Sequence, residues 1–326
     1  MIIDVHAHAM SRDLLYDWAR RGSFELSLDE DQMIVLPAIG RVDPEIYDHQ
    51  NRVERLAAAG VEKELICPLS QFGTWPGGAA DVELTRSLNQ STAECVATSG
   101  GRFAGLATLA LGEPERAVEE LTRALAEHGF LGALTGTYAG DRPLDHSSLD
   151  PLFAELARLE LPVFMHPTSA VATPRWDRYT LKIVLNWPNE TALAVSRLIF
   201  AGTLERHQGL KLVLAHGGGT LAFLRGRLDL AHSAPRYERN PDCRANIVKP
   251  PSEYLNQIYF DTAVTTPESL HFLIDLFGAE KVVFGTDDPF EVGDPGGRIA
   301  LPALQERSES ERELILSGNL SRLLAS

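Results

Sequence analysis

Four places in this 326-residue chain combine metal-binding side chains with the same local setting. His6 and His8 flank one alanine in IIDVHAH, and strand side chains two residues apart project to the same face. His166 closes VFMHP, His216 closes LVLAHGGG and Asp287 closes VVFGTD, each the first strongly polar residue after an apolar run. If those runs are parallel strands of one closed sheet, their C-terminal ends share a face and distant residues become neighbours. His6, His8, His166 and Asp287 then supply three imidazoles and a carboxylate to zinc or a similar divalent ion, with a position left for water or substrate. His216 suits a different role, because a neutral imidazole beside a metal can take the proton of water whose pKa the ion has lowered. The glycines after it permit close approach of backbone to a ligand. Taken singly, each residue reads equally well as a strand-end cap; their recurrence in equivalent places argues for a site. His216 as ligand of a second metal is the competing assignment.

The elements that must position these residues follow from the apolar pattern. Candidate strands lie at 2–6, 63–69, 103–109, 131–136, 162–166, 211–216, 258–262 and 282–287. Several are continuously apolar, as strands covered on both faces must be. Helical patterns at 44–59, 113–128, 147–160, 190–207 and 266–277 lie between strands, and most meet a glycine or proline stop. Eight strands with short connections fit a (β/α)8 barrel or an open doubly wound sheet, and the strand-end residues favour the barrel. Residues 20–42 fit no unit and read as a small insertion, a hairpin or cap within a single domain spanning 1–326. The tail 310–326 reads as a closing helix, and PGG turns stand at 76–78 and 295–297. The fourth strand, in LGALTGT, offers no lysine to bridge two ions, so one metal is expected.

Composition sets outer limits. Hydrophobic residues make up 44% and charged residues 23%, the balance of a folded globular protein. Thirty basic against 45 acidic residues give a net charge of −15, which argues against a nucleic-acid surface while leaving room for a small anionic substrate. Three scattered cysteines make no disulfide framework, MIIDVHAHAM lacks the pattern of a signal peptide, and the apolar stretch 181–200 is interrupted by Lys182, Glu190 and Arg197. No membrane span and a cytoplasmic location are therefore expected.

The set HAH, MHP, HGGG and GTDDPF resembles the amidohydrolase-related family, in particular the group containing 2-amino-3-carboxymuconate-6-semialdehyde decarboxylase. The resemblance takes in 43–70, 102–121, 187–219 and SGNLSRLL at 317–324, nearly the whole chain. It implies a distorted (β/α)8 TIM barrel of the metal-dependent hydrolase superfamily with an insertion after the first strand. It implies zinc, with manganese as the alternative, on His6, His8, His166 and Asp287, and a catalytic His216. It places substrate-carboxylate arginines on Arg41 and Arg227, the latter reaching the neighbouring subunit of a homodimer, and a pocket phenylalanine on Phe290. The family's pocket tryptophan falls on Ile183, with Trp187 close by, and its usual tyrosine after the metal-binding aspartate is replaced by Asp288; both departures bear on substrate identity. The activity implied is nonoxidative decarboxylation of an unsaturated or aromatic acid. For a hydroxylated aromatic acid, Asp287 would protonate the ring. Hydrolysis of an amide or lactone, hydration of a conjugated diacid, and a nonenzymatic scaffold are the alternatives.

Overall fold

The computed structural model describes residues 1–36, 40–69, 79–140, 142–168, 174–237 and 240–325. Eight parallel strands follow one another in chain order: β1 (Ile3–His8), β2 (Lys63–Cys67), β3 (Phe103–Thr108), β4 (Gly132–Thr135), β5 (Pro162–Met165), β6 (Lys211–Leu214), β7 (Tyr259–Asp261) and β8 (Val282–Val283). β1 returns to the chain at and after β8 and closes the ring. Val5 N–H donates to the Phe284 carbonyl at 2.9 Å, Asp287 N–H to that of His6 at 2.8 Å, and His8 N–H to that of Asp288 at 2.7 Å. This is the barrel rather than the open sheet.

The strands are buried on both faces, which explains their unbroken apolar runs. Val5, Leu65, Leu106, Phe164, Val213 and Val283 form one cluster. Their strand neighbours, including Ile66, Ala107, Val163, Leu212, Phe260 and Val282, join the larger cluster with the helices. Period-two alternation therefore separates two apolar environments instead of apolar from polar.

Helix α1 (Arg12–Arg21) and a three-stranded antiparallel sheet (Ser27–Leu28, Ile34–Leu36, Gly40–Arg41) lie between β1 and helix α2 (Gln50–Ala59). The insertion expected at 20–42 is thus a small sheet preceded by an unexpected helix, and residues 37–39 of it lie outside the described residues. The expected 44–59 helix is divided. Asp43 caps a single turn at Pro44–Ile46, accepting from Glu45 N–H at 2.8 Å, and α2 then starts at Gln50.

The longest helix, α3 (Ala79–Thr98), has no counterpart in the sequence pattern. Its buried face carries Thr85, Asn89, Ser91 and Thr92, and Asn89 accepts from Thr108 N–H at 2.8 Å. Polar residues on the packed side erase the apolar periodicity that marks a helix. Helices α4 (Pro114–His128), α5 (Asp150–Arg158), α6 (Trp187–Phe200), α7 (Leu221–Ser233) and α8 (Pro267–Phe277) follow, with shorter helices besides, among them Glu309–Glu313 and Asn319–Ala325 in the tail. A π-helical turn at Lys182–Asn186 leads into α6. Of the two PGG turns, 76–78 lies outside the described residues and Pro295–Gly297 forms a tight helical turn. Among the described residues, no helix is long and apolar enough to cross a membrane.

Candidate active site

The barrel brings the strand-end residues together. One ligand atom each from His6, His8, His166 and Asp287 lies within 4.8 Å of every other, and all four residues are buried. His6 and His8 share a face of β1 because one residue separates them. His166 directly follows β5, and Asp287 lies beyond β8, after Phe284, Gly285 and Thr286. Asp287 takes a φ of 64° and His216 a φ of 54°, left-handed conformations that non-glycine residues rarely hold and that concentrate at functional sites.

The Nδ1 atoms fix how the rings face. His6 Nδ1 is 2.6 Å from Asp261 Oδ2, His8 Nδ1 is 3.1 Å from the Pro68 carbonyl, and His166 Nδ1 is 3.0 Å from the Pro167 carbonyl. With an acceptor at each Nδ1–H, all three Nε2 lone pairs turn inward, as metal-binding histidines require. Asp287 Oδ1 lies 3.2 Å from His6 Nε2, 3.0 Å from His8 Nε2 and 3.9 Å from His166 Nε2. Nε2 of His6 and of His166 are buried with no hydrogen-bond partner.

Three lone pairs converging on a carboxylate oxygen need positive charge between them. Burial pulls the His6 imidazole down, but the Asp287 and Asp261 carboxylates outweigh it and raise it to about 10. Burial lowers His8 and, more strongly, His166, keeping both neutral. Burial opposes ionisation of Asp287, yet His6 and the other imidazoles hold it well below the usual carboxylate range. A proton on His6 supplies that charge in the bare protein, and a divalent ion fits the same donor set. Burial pushes the Cys67 thiol up, so its sulfur, 3.4 Å from His8 Nδ1, is a neutral neighbour and not a thiolate ligand.

His216 stands beside the four. Its Nε2 is 3.3 Å from Asp287 Oδ2, the oxygen turned away from His8, and its ring centroid is 5.2 Å from that of His6. Of the glycines after it, Gly217 and Gly219 line the cavity beside it, and packing adds a second requirement. A Cβ on Gly219 would stand 1.9 Å from the Pro188 carbonyl oxygen, so close packing of the chain against itself demands glycine there.

His216 and Asp287 line a cavity of about 720 Å3 with Ile183, Trp187, Val264 and Phe272. Trp187 is buried, its ring 6.2 Å from that of His166. Phe290 stands 5.3 Å from the His8 ring and lines an adjoining cavity of about 500 Å3, which shares Ile183, Glu291 and Val292 with the first. Arg41 also lines this second cavity, where its guanidinium pairs with Asp29 and Asp31, each at 2.6 Å. Arg227 is exposed on α7 and lines neither cavity.

Asp288 does not face either cavity. It is fully buried, accepting from Arg55 Nη1 at 2.7 Å and Nη2 at 2.8 Å, with Arg52 Nε 3.4 Å away. Arg52 in turn donates to Glu64 at 2.9 Å and to the His8 carbonyl at 2.6 Å. The residue whose type suggests a change of specificity therefore braces the backbone where β1 meets the β8 segment.

Two buried carboxylates join the site without having stood out in the sequence. Asp261, at the end of β7, orients His6 with one oxygen and accepts Gly217 N–H at 2.8 Å and Ala263 N–H at 3.1 Å with the other. It has the same strand-end signature as Asp287. Asp4 accepts from His6 N–H at 2.9 Å and Thr286 N–H at 3.1 Å, tying β1 to the chain before Asp287; nothing in the sequence distinguishes it.

Comparison with known proteins agrees with this architecture. The amidohydrolase family profile matches residues 3–325. The chain is 33% identical over 286 residues to 2-amino-3-carboxymuconate-6-semialdehyde decarboxylase of Dictyostelium discoideum, covering 87% of this chain and 78% of that one. IDCase of Metarhizium anisopliae superposes with a TM-score of 0.84 at 22% identity, covering 99% of this chain and 97% of that one. A dihydroxybenzoic acid decarboxylase from Polaromonas sp. JS666, with bound manganese and the inhibitor 2-nitroresorcinol, superposes with a TM-score of 0.78 at 24% identity, covering 99% and 96%. With a profile match over nearly its full length and a relative of this similarity, the chain belongs to the amidohydrolase family.

Proposed function

We propose that this protein is a metal-dependent, nonoxidative decarboxylase of an aromatic or conjugated carboxylic acid. The observation that carries the reading is Asp287 placed between two partners: one oxygen faces three histidine Nε2 atoms and the other faces His216, at the floor of a largely apolar cavity. The decarboxylases among its relatives support the same chemistry. His6, His8, His166 and Asp287 would hold the ion, zinc in our reading, with manganese the alternative that the Polaromonas structure supports. When bound, a divalent ion supplies Lewis-acid polarisation of the acid and an anchor for its oxygens.

The residues of the chain do the rest. Trp187 and Ile183 flank a planar substrate and exclude water, while Phe290 closes the His8 side. On a hydroxylated ring, the His216–Asp287 pair delivers a proton to the carbon bearing the carboxylate, forming a C–H bond. The C–C bond to the carboxylate then breaks, its electron pair restores the ring, and carbon dioxide leaves. On a conjugated chain, His216 instead takes a proton from water as the oxygen adds to one carbon of the double bond, and gives that proton to the other carbon, which bears the carboxylate. The C–C bond to the carboxylate then breaks, its electron pair re-forms the double bond, and hydroxide and carbon dioxide leave. Arg41 would meet a substrate carboxylate through the adjoining cavity by exchanging its aspartate partners. Arg227 would act from a partner copy in a homodimer. Phe223 lines the main cavity yet is 84% exposed, and Leu224 and Leu230 of the same helix are exposed with it, so a second copy packed on α7 would sit at the cavity mouth. Three free cysteines, two of them buried, support a reducing compartment, the cytoplasm in our reading.

Carbon dioxide release from a panel of hydroxybenzoic and conjugated acids tests the proposal. The metal-loaded protein should release it from at least one acid. His216→Asn should lower that rate about 100- to 10,000-fold while metal stoichiometry stays unchanged. Hydrolysis of amides or lactones without carbon dioxide release from any acid would refute it.

A further inference from the structure

The cavity that holds His216 and Asp287 is apolar over most of its wall, and among its described lining residues one carries a permanent positive charge, Arg298. Arg298 makes a long hydrogen bond, 3.4 Å from Nη2 to the Glu291 carbonyl oxygen. Among the described residues it forms no ion pair. Arg41, by contrast, is already closed off by two aspartates. Arg298 is exposed at the cavity wall, so most of its donors face solvent and are left for a ligand, to which a guanidinium offers charge-assisted, bidentate contacts.

Arg298 is not on a loose loop. A Cβ on Gly293 would stand 2.6 Å from that of Asp287, so the chain after β8 folds directly onto the metal-binding aspartate. Asp294, 1% exposed, donates its N–H to the Thr286 carbonyl at 2.7 Å. Its two carboxylate oxygens accept from Ile299 N–H and Ala300 N–H, both at 2.8 Å, which fixes the backbone on the far side of Arg298. Gly296 N–H donates to Asp288 Oδ2 at 3.0 Å, linking the same turn to the arginines around Asp288. The second PGG turn and the unusual Asp288 therefore act together, holding the backbone of Arg298 at a set place on the cavity wall.

We propose that Arg298 binds a second anionic group of the substrate, separate from the carboxylate lost at the metal. The preferred substrates are then aromatic or conjugated acids with two anionic groups. The inference rests on the decarboxylase reading only for the fate of the first carboxylate, so its test is a binding measurement that needs no turnover. Isophthalate and benzoate are titrated calorimetrically into the manganese-loaded protein and into Arg298→Gln. The native protein should bind isophthalate more tightly than benzoate. Arg298→Gln should lose about 10- to 100-fold on isophthalate, the range of a charge-assisted hydrogen bond, and less than about threefold on benzoate. Equal losses on both ligands, no loss on either, or no preference in the native protein would overturn the proposal. If no acid is decarboxylated but the dicarboxylate selectivity follows Arg298, the reaction is reassigned and Arg298 keeps its role.

Discussion

Asp261→Asn should separate metal affinity from folding, because the hydrogen bonds around that carboxylate predict which way an amide will sit. Oδ1 of Asp261 accepts two backbone N–H groups, Gly217 at 2.8 Å and Ala263 at 3.1 Å, whereas Oδ2 accepts one, His6 Nδ1–H at 2.6 Å. In asparagine the single carbonyl oxygen stays with the two backbone donors, each bond worth about 1 kcal/mol. The NH2 group then faces His6 Nδ1, two donors meet, and the imidazole shifts its proton to Nε2. That is the atom the metal needs. Loss of such an orienting partner costs about 10- to 100-fold in metal affinity, ~1.4–2.7 kcal/mol. Asp261→Ala should lose less affinity and more stability. It leaves His6 free to choose its tautomer, so affinity falls by less than about 10-fold. It strands two buried N–H groups, though, and destabilises the metal-free fold by roughly 1–3 kcal/mol for each. Competition with a chromophoric chelator measures the affinity, and urea denaturation of the metal-free protein measures the stability. If Asp261→Asn binds zinc and manganese within about twofold of the native protein, or binds them more tightly than Asp261→Ala, the orientation argument fails.

Two further outcomes follow from other parts of the molecule. Asp81 in α3 accepts Gly112 N–H at 2.7 Å with Oδ2, while buried Oδ1 has no partner, and burial raises its carboxyl from 3.8 to about 6. The folded state thus favours the neutral acid, a contribution fully present below pH ~4 and lost as the pH rises through 6, about 3 kcal/mol in all. Asp81→Asn, neutral throughout, should exceed the native protein in stability by up to that amount at pH 8 and match it at pH 4 in urea titrations; a gap independent of pH would contradict the assignment. If Arg227 serves the neighbouring site, mixing inactive His216→Asn and inactive Arg227→Ala proteins should restore roughly one quarter of native activity, since half the dimers are mixed and each has one intact site; a mixture that stays inactive places Arg227 elsewhere.

How far the sequence can be read depends on what each side chain packs against. All eight strands are legible because both of their faces are apolar, as Val163 and Phe164 show on successive positions of β5. α3 is not, because Thr85, Asn89 and Thr92 face inward, Asn89 accepting from Thr108 N–H at 2.8 Å and Thr92 Oγ1–H donating to the Leu88 carbonyl at 3.1 Å. Hydrophobic periodicity reports a helix only when the buried side excludes polar groups. The pattern overstates the length of α2 because the Asp43 cap and its single turn continue the helical composition without continuing the helix.

In the site, the same distinction holds at the level of single residues. His6, His8, His166, His216 and Asp287 stand out because each ends an apolar run, and Asp261 meets the same criterion. Asp288 and Arg298 do not, since their meaning depends on which way a neighbour turns. Asp287 and Asp288 are adjacent, yet the left-handed backbone at Asp287 sends its carboxylate toward the histidines while Asp288 enters the arginine pair. One carboxylate meets imidazoles that need charge, and the other meets guanidiniums that already have it. The −15 net charge carries no trace of this arrangement. Between them, Arg52 and Arg55 offset Asp288 and Glu64, so that Asp287 is left facing the three inward Nε2 atoms as the carboxylate a cation can use.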